Sequence, residues 1–222
     1  MSAVAATWAE TTTPDLQTLL DAQAYPPTHT YRIDTLEPTA VLAQRAGLID
    51  RLAPEFFRSA RSMLDVGCNK GFFSLRGARA FDRVLGIDTD AHCISLCRQI
   101  AAYLSLDNAE FQATGFGGLT TPSTFDRVVI GNVHHYVFRE AGGNWSWVDK
   151  LASLATDQVL IEGPLGMECR DMIAAIPEPM RAAFNRHDFL EAMGRHFTLK
   201  GLLRTVTYTP DRYLMLFERH PS

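Results

Sequence analysis

Residues 63–75 read MLDVGCNKGFFSL, and the predicted fold class follows from the elements in this stretch. A mostly apolar run that contains Asp65 ends at Val66. Two glycines follow at Gly67 and Gly71, and an amphipathic pattern begins straight after them. Because glycine lacks a Cβ atom, it adopts backbone conformations that strain other residues and lets a ligand approach closely. The pattern predicts a buried strand that turns sharply into a helix, with the unpaired N–H groups of the helix start at the turn.

From residue 62 onward the chain repeats this alternation of short apolar runs and helical stretches. Continuous apolar runs are typical of strands buried on both faces of a parallel sheet, with helices crossing over between them. The predicted strands are SMLDV, RVLGID, AEFQA, DRVVIGN and QVLIEG. The last stretch, FTLKGLLRTVTYTPDRYLMLFERH, contains two strand-like runs joined by a Pro-Asp turn. We therefore expect an α/β fold with a Rossmann-like, doubly wound sheet of seven strands, mostly parallel and closed by a C-terminal antiparallel hairpin.

The first sixty residues and one later segment have helical character. TPDLQTLLDAQA begins with a Thr-Pro start signal, and EPTAVLAQRAGLIDRLA has helical periodicity. YPPTHTYRID lies between them and is expected to be irregular, because adjacent prolines forbid a continuous helix. A further helix is expected around ECRDMIAAI, after the fifth strand.

The bulk composition argues against several classes of function. The 222 residues are 46% hydrophobic and 21% charged, with a net charge of −4, so the chain lacks the basic surface of a general nucleic-acid or anionic-membrane binder. No apolar run reaches the roughly 18 residues of a membrane span, and the N-terminus lacks a signal-peptide pattern. The four cysteines show no paired spacing, as in proteins of a reducing compartment. We expect a soluble, cytoplasmic protein.

Two acidic residues indicate the type of ligand. A dinucleotide-binding turn requires G-x-G-x-x-G, and the third glycine is missing here. Asp65, near the end of the first strand, would repel a pyrophosphate and attract an ammonium group. Asp88 ends the second strand, where its carboxylate can accept hydrogen bonds from ribose hydroxyls. The alternative is a merely structural turn and a solvated strand end, which the presence of both acids in the right strand order disfavours.

These motifs resemble those of the class I S-adenosylmethionine-dependent methyltransferases. LDVGCNKGFFSL is similar to their motif I and VLGIDTD to their motif II, while FDRVVIGNVHHYVF stands where their motif IV stands. VLIEGPLG stands where their fifth strand ends, and the terminal hairpin is also typical of them. The resemblance covers about residues 60 to 220. It implies S-adenosylmethionine as the cofactor and a cofactor-binding catalytic domain over residues 61–222.

The resemblance also implies which residues hold the cofactor. The glycine turn would surround its methionine moiety, Asp88 would hold the ribose, and Thr89 would lie beside the adenine. The family often has an acid after the third strand to read the adenine amino group, but this chain has FQATGFGG there. Backbone contacts and ring packing from that loop would replace it. The implied cofactor-binding set is Asp65, Gly67, Cys68, Asn69, Gly71, Asp88, Thr89, Thr114, Gly115, Phe116 and Asn132.

Candidate catalytic residues follow the fourth and fifth strands. A sulfonium is already activated, so the enzyme mainly aligns the acceptor and excludes water. An amine or hydroxyl acceptor must also lose a proton, which suits a histidine of ordinary pKa or Glu162 as general base. Because His134 and His135 are adjacent, we expect one to line the pocket and the other to pack or cap; no spacing here predicts a metal site. The predicted catalytic set is His134, His135, Tyr136, Glu162 and Tyr31.

By analogy with the relatives, residues 1–60 are expected to form a helical lid over the cofactor. That analogy puts Tyr31 and Arg32 near the substrate, together with His29 from the same stretch. The guanidinium of Arg32 could clamp a carboxylate as a planar fork. Trp145 could wall the acceptor pocket, with packing in the core as the alternative.

The leading hypothesis is a methyltransferase for a small-molecule acceptor, with nitrogen, oxygen or carbon as the methylated atom. We expect a monomer or homodimer with no nucleic-acid or membrane partner. A second hypothesis keeps the cofactor but changes the reaction, so that intramolecular cyclisation or alkyl transfer releases methylthioadenosine. A third is a catalytically silent cofactor-binding subunit. A nicotinamide-dependent dehydrogenase and an RNA methyltransferase are further alternatives, opposed by the missing glycine and by the lack of a basic surface.

Overall fold

The structure, a computed structural model, describes residues 13–22, 30–58, 60–167, 174–205 and 212–221. Its strands are β1 (Tyr31–Arg32), β2 (Glu37–Pro38), β3 (Ser62–Val66), β4 (Arg83–Asp88), β5 (Ala109–Ala113), β6 (Phe125–Gly131), β7 (Ala155–Pro164), β8 (Phe197–Thr205) and β9 (Arg212–Arg219). Seven of them form one sheet in the order β5-β4-β3-β6-β7-β9-β8. The first five of that order pair in parallel, and β9 is antiparallel to both neighbours. The predicted fold class is confirmed.

The described residues also contain seven α-helices. They are α1 (Thr13–Ala22), α2 (Ala40–Leu52), α3 (Phe72–Ala78), α4 (Ala91–Tyr103), α5 (His134–Glu140), α6 (Trp147–Leu154) and α7 (Arg186–Gly194). Side-chain caps explain where two of them begin: Asp90 accepts hydrogen bonds from the first N–H groups of α4, and Asn185 accepts one from α7. The helix expected around ECRDMIAAI and the Pro-Asp turn of the hairpin fall mostly on residues 168–173 and 206–211, which lie outside the described residues.

The central strands β3, β4, β6 and β7 are largely buried, which explains why they read as continuous apolar runs, whereas the edge strands β5 and β8 are partly exposed. Successive side chains of a strand point to opposite faces. In β3, Met63 packs into one hydrophobic core and Leu64 and Val66 into the other; in β6, Val129 and Ile130 are divided in the same way. A strand sandwiched between two helical layers must be apolar on both sides, so a polar residue within one stands out. Asp65 of β3 is such a residue.

The N-terminal segment packs into one of these cores. Leu16 and Leu20 of α1 and Leu42 and Ile49 of α2 are buried in the same cluster as the sheet residue Met63. β1 lies in the stretch expected to be irregular and pairs with β2 in a two-residue antiparallel ladder. β2 occupies the first two residues of the stretch expected to be helical, and the helix α2 begins only at Ala40. The predicted lid role of residues 1–60 stays a prediction. Within the described chain, no helix is both long and apolar enough to cross a membrane.

The strand order places a crevice at a defined point. After β3 the chain continues to β4 and β5 on one side, and it then returns to β6 and β7 on the other. In open α/β sheets, ligands bind beyond the carboxyl ends of the strands where the strand order reverses in this way. The ends of β3 and β6 mark this switch point, and the quoted glycine turn follows β3 directly.

Candidate functional site

Two adjoining cavities lie at the switch point. The first has a volume of about 280 Å³ and the second about 240 Å³. Both are lined by Gly67, Asp88, Thr89, Val133 and Tyr136, so they form one continuous site. The predicted cofactor residues Asp65, Cys68, Asn69 and Asn132 line the first cavity, and Thr114, Gly115 and Phe116 line the second.

The glycine turn needs both of its glycines. Gly67 and Gly71 have φ angles of +73° and +77°, in the left-handed region that favours glycine. A Cβ atom on Gly67 would lie 2.5 Å from Cγ1 of Val133, and one on Gly71 would lie 2.7 Å from Sγ of Cys97. The turn is thus too tightly packed for any side chain at either position. Gly71 itself does not line either cavity; it sets the start of α3.

Asp65 is a buried carboxylate at the floor of the first cavity. Its side chain is 2% exposed, and its Oδ2 accepts a hydrogen bond of 2.6 Å from Oγ of Ser74. Burial raises the pKa of Asp65 from 3.8 to about 6, although the Ser74 hydrogen bond and the positive charge of Arg45 both oppose the rise. Such a carboxylate is stabilised in its charged form by a cationic ligand group.

Asp88 holds the turn from the neighbouring strand. Its Oδ2 accepts from the backbone N–H of Asn69 at 2.8 Å, and its Oδ1 accepts from the N–H of Asp90 at 2.9 Å. Each carboxylate oxygen has a second lone pair, so Asp88 can still accept hydrogen bonds from a ligand. Asn69 has a φ of +49°, and its Oδ1 is buried with no hydrogen-bond partner in the described chain.

The second cavity contains an acid that the sequence interpretation missed. Glu140 lines it opposite Gly115, and a Cβ atom on Gly115 would lie 2.5 Å from Oε1 of Glu140. The signal was available in helical spacing: Val133, Val137 and Glu140 lie three or four residues apart at one face of α5. From this stretch, only Asn132, His134, His135 and Tyr136 were predicted as site residues.

The two adjacent histidines have different surroundings. His134 packs on Phe184, with ring centroids 5.8 Å apart, and donates from Nε2 to the carbonyl of Pro164 at 2.8 Å. His135 is 1% exposed and lines the first cavity, and both its ring nitrogens lack a hydrogen-bond partner among the residues described.

Neither histidine has the ordinary pKa that the sequence interpretation assumed. Burial lowers the pKa of His134 to about 4. Burial, reinforced by the neighbouring charges of His134, Arg212 and Arg139, lowers that of His135 to about 2. Both imidazoles are neutral near pH 7, and each is a poor base because its charged form is desolvated.

A buried ion pair stands behind the first cavity. Nε and Nη2 of Arg45 contact Oε2 of Glu162 at 2.6 and 2.5 Å, and both residues are buried. Arg45 lines the cavity, whereas Glu162 does not. Arg212 and Lys70 also line it. Sequence reasoning missed all three cations, because Arg45 lies in a helix assigned to the lid and Arg212 in the terminal hairpin.

Asn132 lies at the end of β6, at the edge of the first cavity. Its φ is +64°, and its backbone N–H donates to the carbonyl of Glu162 at 2.7 Å, which fixes the residue between β6 and β7. Its Oδ1 is buried and has no hydrogen-bond partner within the described residues. A buried acceptor in this state is stabilised by any ligand that donates to it.

Three further predicted residues, Tyr31, Trp145 and Arg32, do not line either cavity. Tyr31 is buried and donates from its hydroxyl to the carbonyl of Lys70 at 2.7 Å, so it supports the glycine turn from behind. Trp145 is buried in the core and donates from Nε1 to the carbonyl of Ala183. Arg32 is exposed and does not line either cavity. His29 lies outside the described residues.

Residues 57–142 match the model of a family described as a methyltransferase domain. The matched segment begins just before β3 and ends just after α5, so it includes the glycine turn, Asp88 and Glu140. No curated protein sequence matches the chain.

Several solved structures have a similar fold. N-methyltransferase NodS from Bradyrhizobium japonicum WM9, in complex with S-adenosyl-L-homocysteine, has a TM-score of 0.63 at 14% identity, over 84% of this chain and 91% of that one. Magnesium protoporphyrin IX methyltransferase (ChlM) from Synechocystis PCC 6803 has a TM-score of 0.60 at 19% identity, over 81% and 83% of the two chains. A putative S-adenosylmethionine-dependent methyltransferase from Listeria monocytogenes has a TM-score of 0.61 at 12% identity, over 81% and 100%. At these identities the likeness shows the fold alone.

Proposed function

We propose that this chain, which carries an S-adenosylmethionine-dependent methyltransferase domain, transfers a methyl group to a small-molecule amine. The observation that carries the proposal is the continuous site formed by the two cavities around Asp88, with the buried carboxylate of Asp65 on one side. The cofactor supplies an electrophilic methyl group on a sulfonium. The chain's own residues bind the cofactor, orient the acceptor and exclude water.

The residues present fit this cofactor. Asp65 would pair with its ammonium group, since the positive charge relieves the burial of the carboxylate. The buried, unpartnered Oδ1 of Asn69 offers a further hydrogen-bond acceptor to that group, and Gly67 lines both cavities. Asp88 would accept from ribose hydroxyls, and the second cavity would take the adenine.

The acceptor side of the first cavity favours an N–H donor. Asn132 Oδ1 and a ring nitrogen of neutral His135 are hydrogen-bond acceptors without a described partner. Together they would orient the hydrogens of an amine so that its lone pair points away from them. His135 then acts as a hydrogen-bond acceptor rather than as a strong base, because its pKa lies far below 7.

The first cavity is lined by charged side chains of both signs. Arg45, Arg212 and Lys70 line it together with Asp65 and Asp88, and Arg45 is ion-paired with Glu162 behind it. This polar surface suits a small polar acceptor such as an amine. Two proteins of similar fold are named for their reactions. NodS is an N-methyltransferase, and ChlM is a magnesium protoporphyrin IX methyltransferase.

The N-terminal segment would serve as a cap over the site. Tyr31 ties it to the glycine turn through the carbonyl of Lys70, and Arg45 brings α2 to the cavity wall. We propose residues 1–60 as this cap and residues 61–222 as the cofactor-binding catalytic domain.

Product analysis tests the proposal. The protein would be incubated with S-adenosylmethionine and separate pools of amines, alcohols and carboxylic acids, and the nucleoside products would be separated by chromatography. We expect S-adenosylhomocysteine with the amine pool and a methylated amine by mass spectrometry. Asn132→Gly keeps the left-handed backbone but removes the amide, so it should lower the rate about tenfold or more; Asp107→Asn, at an exposed position, is the control.

The other outcomes identify the alternatives. Methylthioadenosine in place of S-adenosylhomocysteine would show that the sulfonium is used for cyclisation or alkyl transfer. Cofactor binding with no product from any pool would indicate a silent cofactor-binding subunit. S-adenosylhomocysteine formed only with alcohols or carboxylic acids would overturn the assignment of an amine.

A further inference from the structure

We propose that Glu140 determines the specificity of the cofactor site for adenine, by accepting a hydrogen bond from the exocyclic amino group. This inference rests on the proposed function, because it assigns the second cavity to the nucleobase. It concerns a residue outside both glycine-turn and strand-end motifs, on the last turn of α5.

The second cavity has the composition of a nucleobase site. Its walls include the apolar side chains of Ile87, Phe116 and Val137, which suit the two faces of a planar ring. The cavity joins the first one at Asp88, so a ribose held there would direct its base into the second cavity. A flat apolar slot binds any base, and selection among bases requires a polar group at its edge.

Glu140 supplies that polar group. Its Oε2 accepts a weak hydrogen bond of 3.3 Å from the backbone N–H of Gly117, which orients the carboxylate across the loop after β5. Its Oε1 approaches Gly115 so closely that a Cβ atom there would lie 2.5 Å away. The loop is therefore shaped around this carboxylate, and glycine at position 115 makes the approach possible.

The charge of the carboxylate selects between bases. An ionised carboxylate only accepts hydrogen bonds, whereas the amino group of adenine only donates at this edge. Hypoxanthine presents a carbonyl oxygen at the same place, which a carboxylate repels. The cationic side chains nearby are engaged elsewhere: Arg139 lies over the ring of Tyr136, and Lys150 donates to the carbonyls of Gly117 and Leu119.

The test compares two nucleosides that differ at this single group. Binding of S-adenosylhomocysteine and of S-inosylhomocysteine, its hypoxanthine analogue, would be measured by titration calorimetry. We expect the unmodified protein to prefer S-adenosylhomocysteine by at least tenfold. Glu140→Gln should reduce that preference at least tenfold, because the amide N–H can donate to the carbonyl of hypoxanthine.

Two further variants make the result decisive. Glu110→Gln, the same change at an exposed position of β5, should leave the preference unchanged. Gly115→Ala should reduce it, because the added Cβ displaces the carboxylate. If S-adenosylhomocysteine binds and Glu140→Gln retains the full preference, the role of Glu140 is wrong while the proposed function stands. If neither nucleoside binds the unmodified protein, the proposed function and this inference both fail.

Discussion

The backbone N–H of Asn69 donates to Oδ2 of Asp88 at 2.8 Å, so the two motifs that define the site are one hydrogen-bonded unit. The N–H groups of Gly67 and Cys68 both donate to the carbonyl of Ile87, which adds two further bonds between the turn and β4. A turn held in this way needs little reorganisation when a ligand binds. The carboxylate of Asp88 is already oriented, and less conformational entropy is lost on binding.

Asp88→Asn should weaken cofactor binding more than it weakens the fold. An amide has only one oxygen, so it cannot accept from both Asn69 and Asp90 and also from a ribose. We expect the dissociation constant for S-adenosylhomocysteine, measured by calorimetry, to be at least tenfold larger than that of the unmodified protein. Asp107→Asn at an exposed position is the matched control, and equal affinity for the two variants would contradict the role of Asp88.

The pH dependence of binding should report on Asp65. Its pKa of about 6 means that it is ionised above that pH and neutral below it. Only the ionised form pairs with an ammonium group, so cofactor affinity should fall by up to about tenfold for each pH unit below 6. Calorimetry of S-adenosylhomocysteine between pH 5 and 8 measures this. An affinity that stays constant down to pH 5 would show that Asp65 does not hold the cation.

The same shift predicts a gain in stability from Asp65→Asn. A folded-state pKa above the ordinary 3.8 means that the folded protein holds the proton more tightly, so the stability from this group is present below pH 4 and is lost as the pH rises through about 6. At pH 8 the variant avoids a buried charge, and its amide oxygen can still accept from Ser74.

We expect the free energy of unfolding of this variant, in the absence of cofactor, to exceed that of the unmodified protein by about 1–3 kcal/mol at pH 8. The gain should vanish below pH 4. Urea unfolding at the two pH values measures it. A variant that is less stable at pH 8 would show that the buried carboxylate contributes to the fold rather than straining it for binding.

Two glycine-to-alanine substitutions should have opposite effects. Gly71→Ala places a side chain at a φ of +77° and 2.7 Å from Sγ of Cys97, so we expect a loss of more than about 1 kcal/mol in unfolding free energy. Gly47 lies within α2 with no atom within 4 Å of an added Cβ. Gly47→Ala should therefore add about 0.5–1 kcal/mol. Urea unfolding of both variants gives the comparison, and a loss of equal size in each would contradict it.

Periodicity and strand-end residues sufficed to predict the sheet of the molecule and two acidic residues of the site. Apolar runs identified the central strands of the main sheet, because strands covered on both faces must be apolar throughout. The quoted glycine turn predicted a methyltransferase, and residues 57–142, which include it, match a methyltransferase domain. Asp65 and Asp88 were found because each is a polar residue at a place where a buried strand approaches its end.

The rest of the site depends on contacts that the sequence does not display. Arg45 reaches Glu162 across 117 positions of the chain, and the loop after β5 reaches Glu140 from the far end of α5. Tyr31 was expected at the substrate but donates to the carbonyl of Lys70, since the fold buries its ring against Phe72. Such pairs arise from packing and not from local patterns.

Titration calorimetry of the unmodified protein with S-adenosylhomocysteine at pH 8 measures whether the two cavities around Asp88 form one cofactor site. We predict saturable binding with one ligand per chain, weakened at least tenfold by Asp88→Asn and unchanged by Asp107→Asn. No binding at millimolar nucleoside, or equal binding by the Asp88→Asn variant, would show that these cavities do not hold the cofactor.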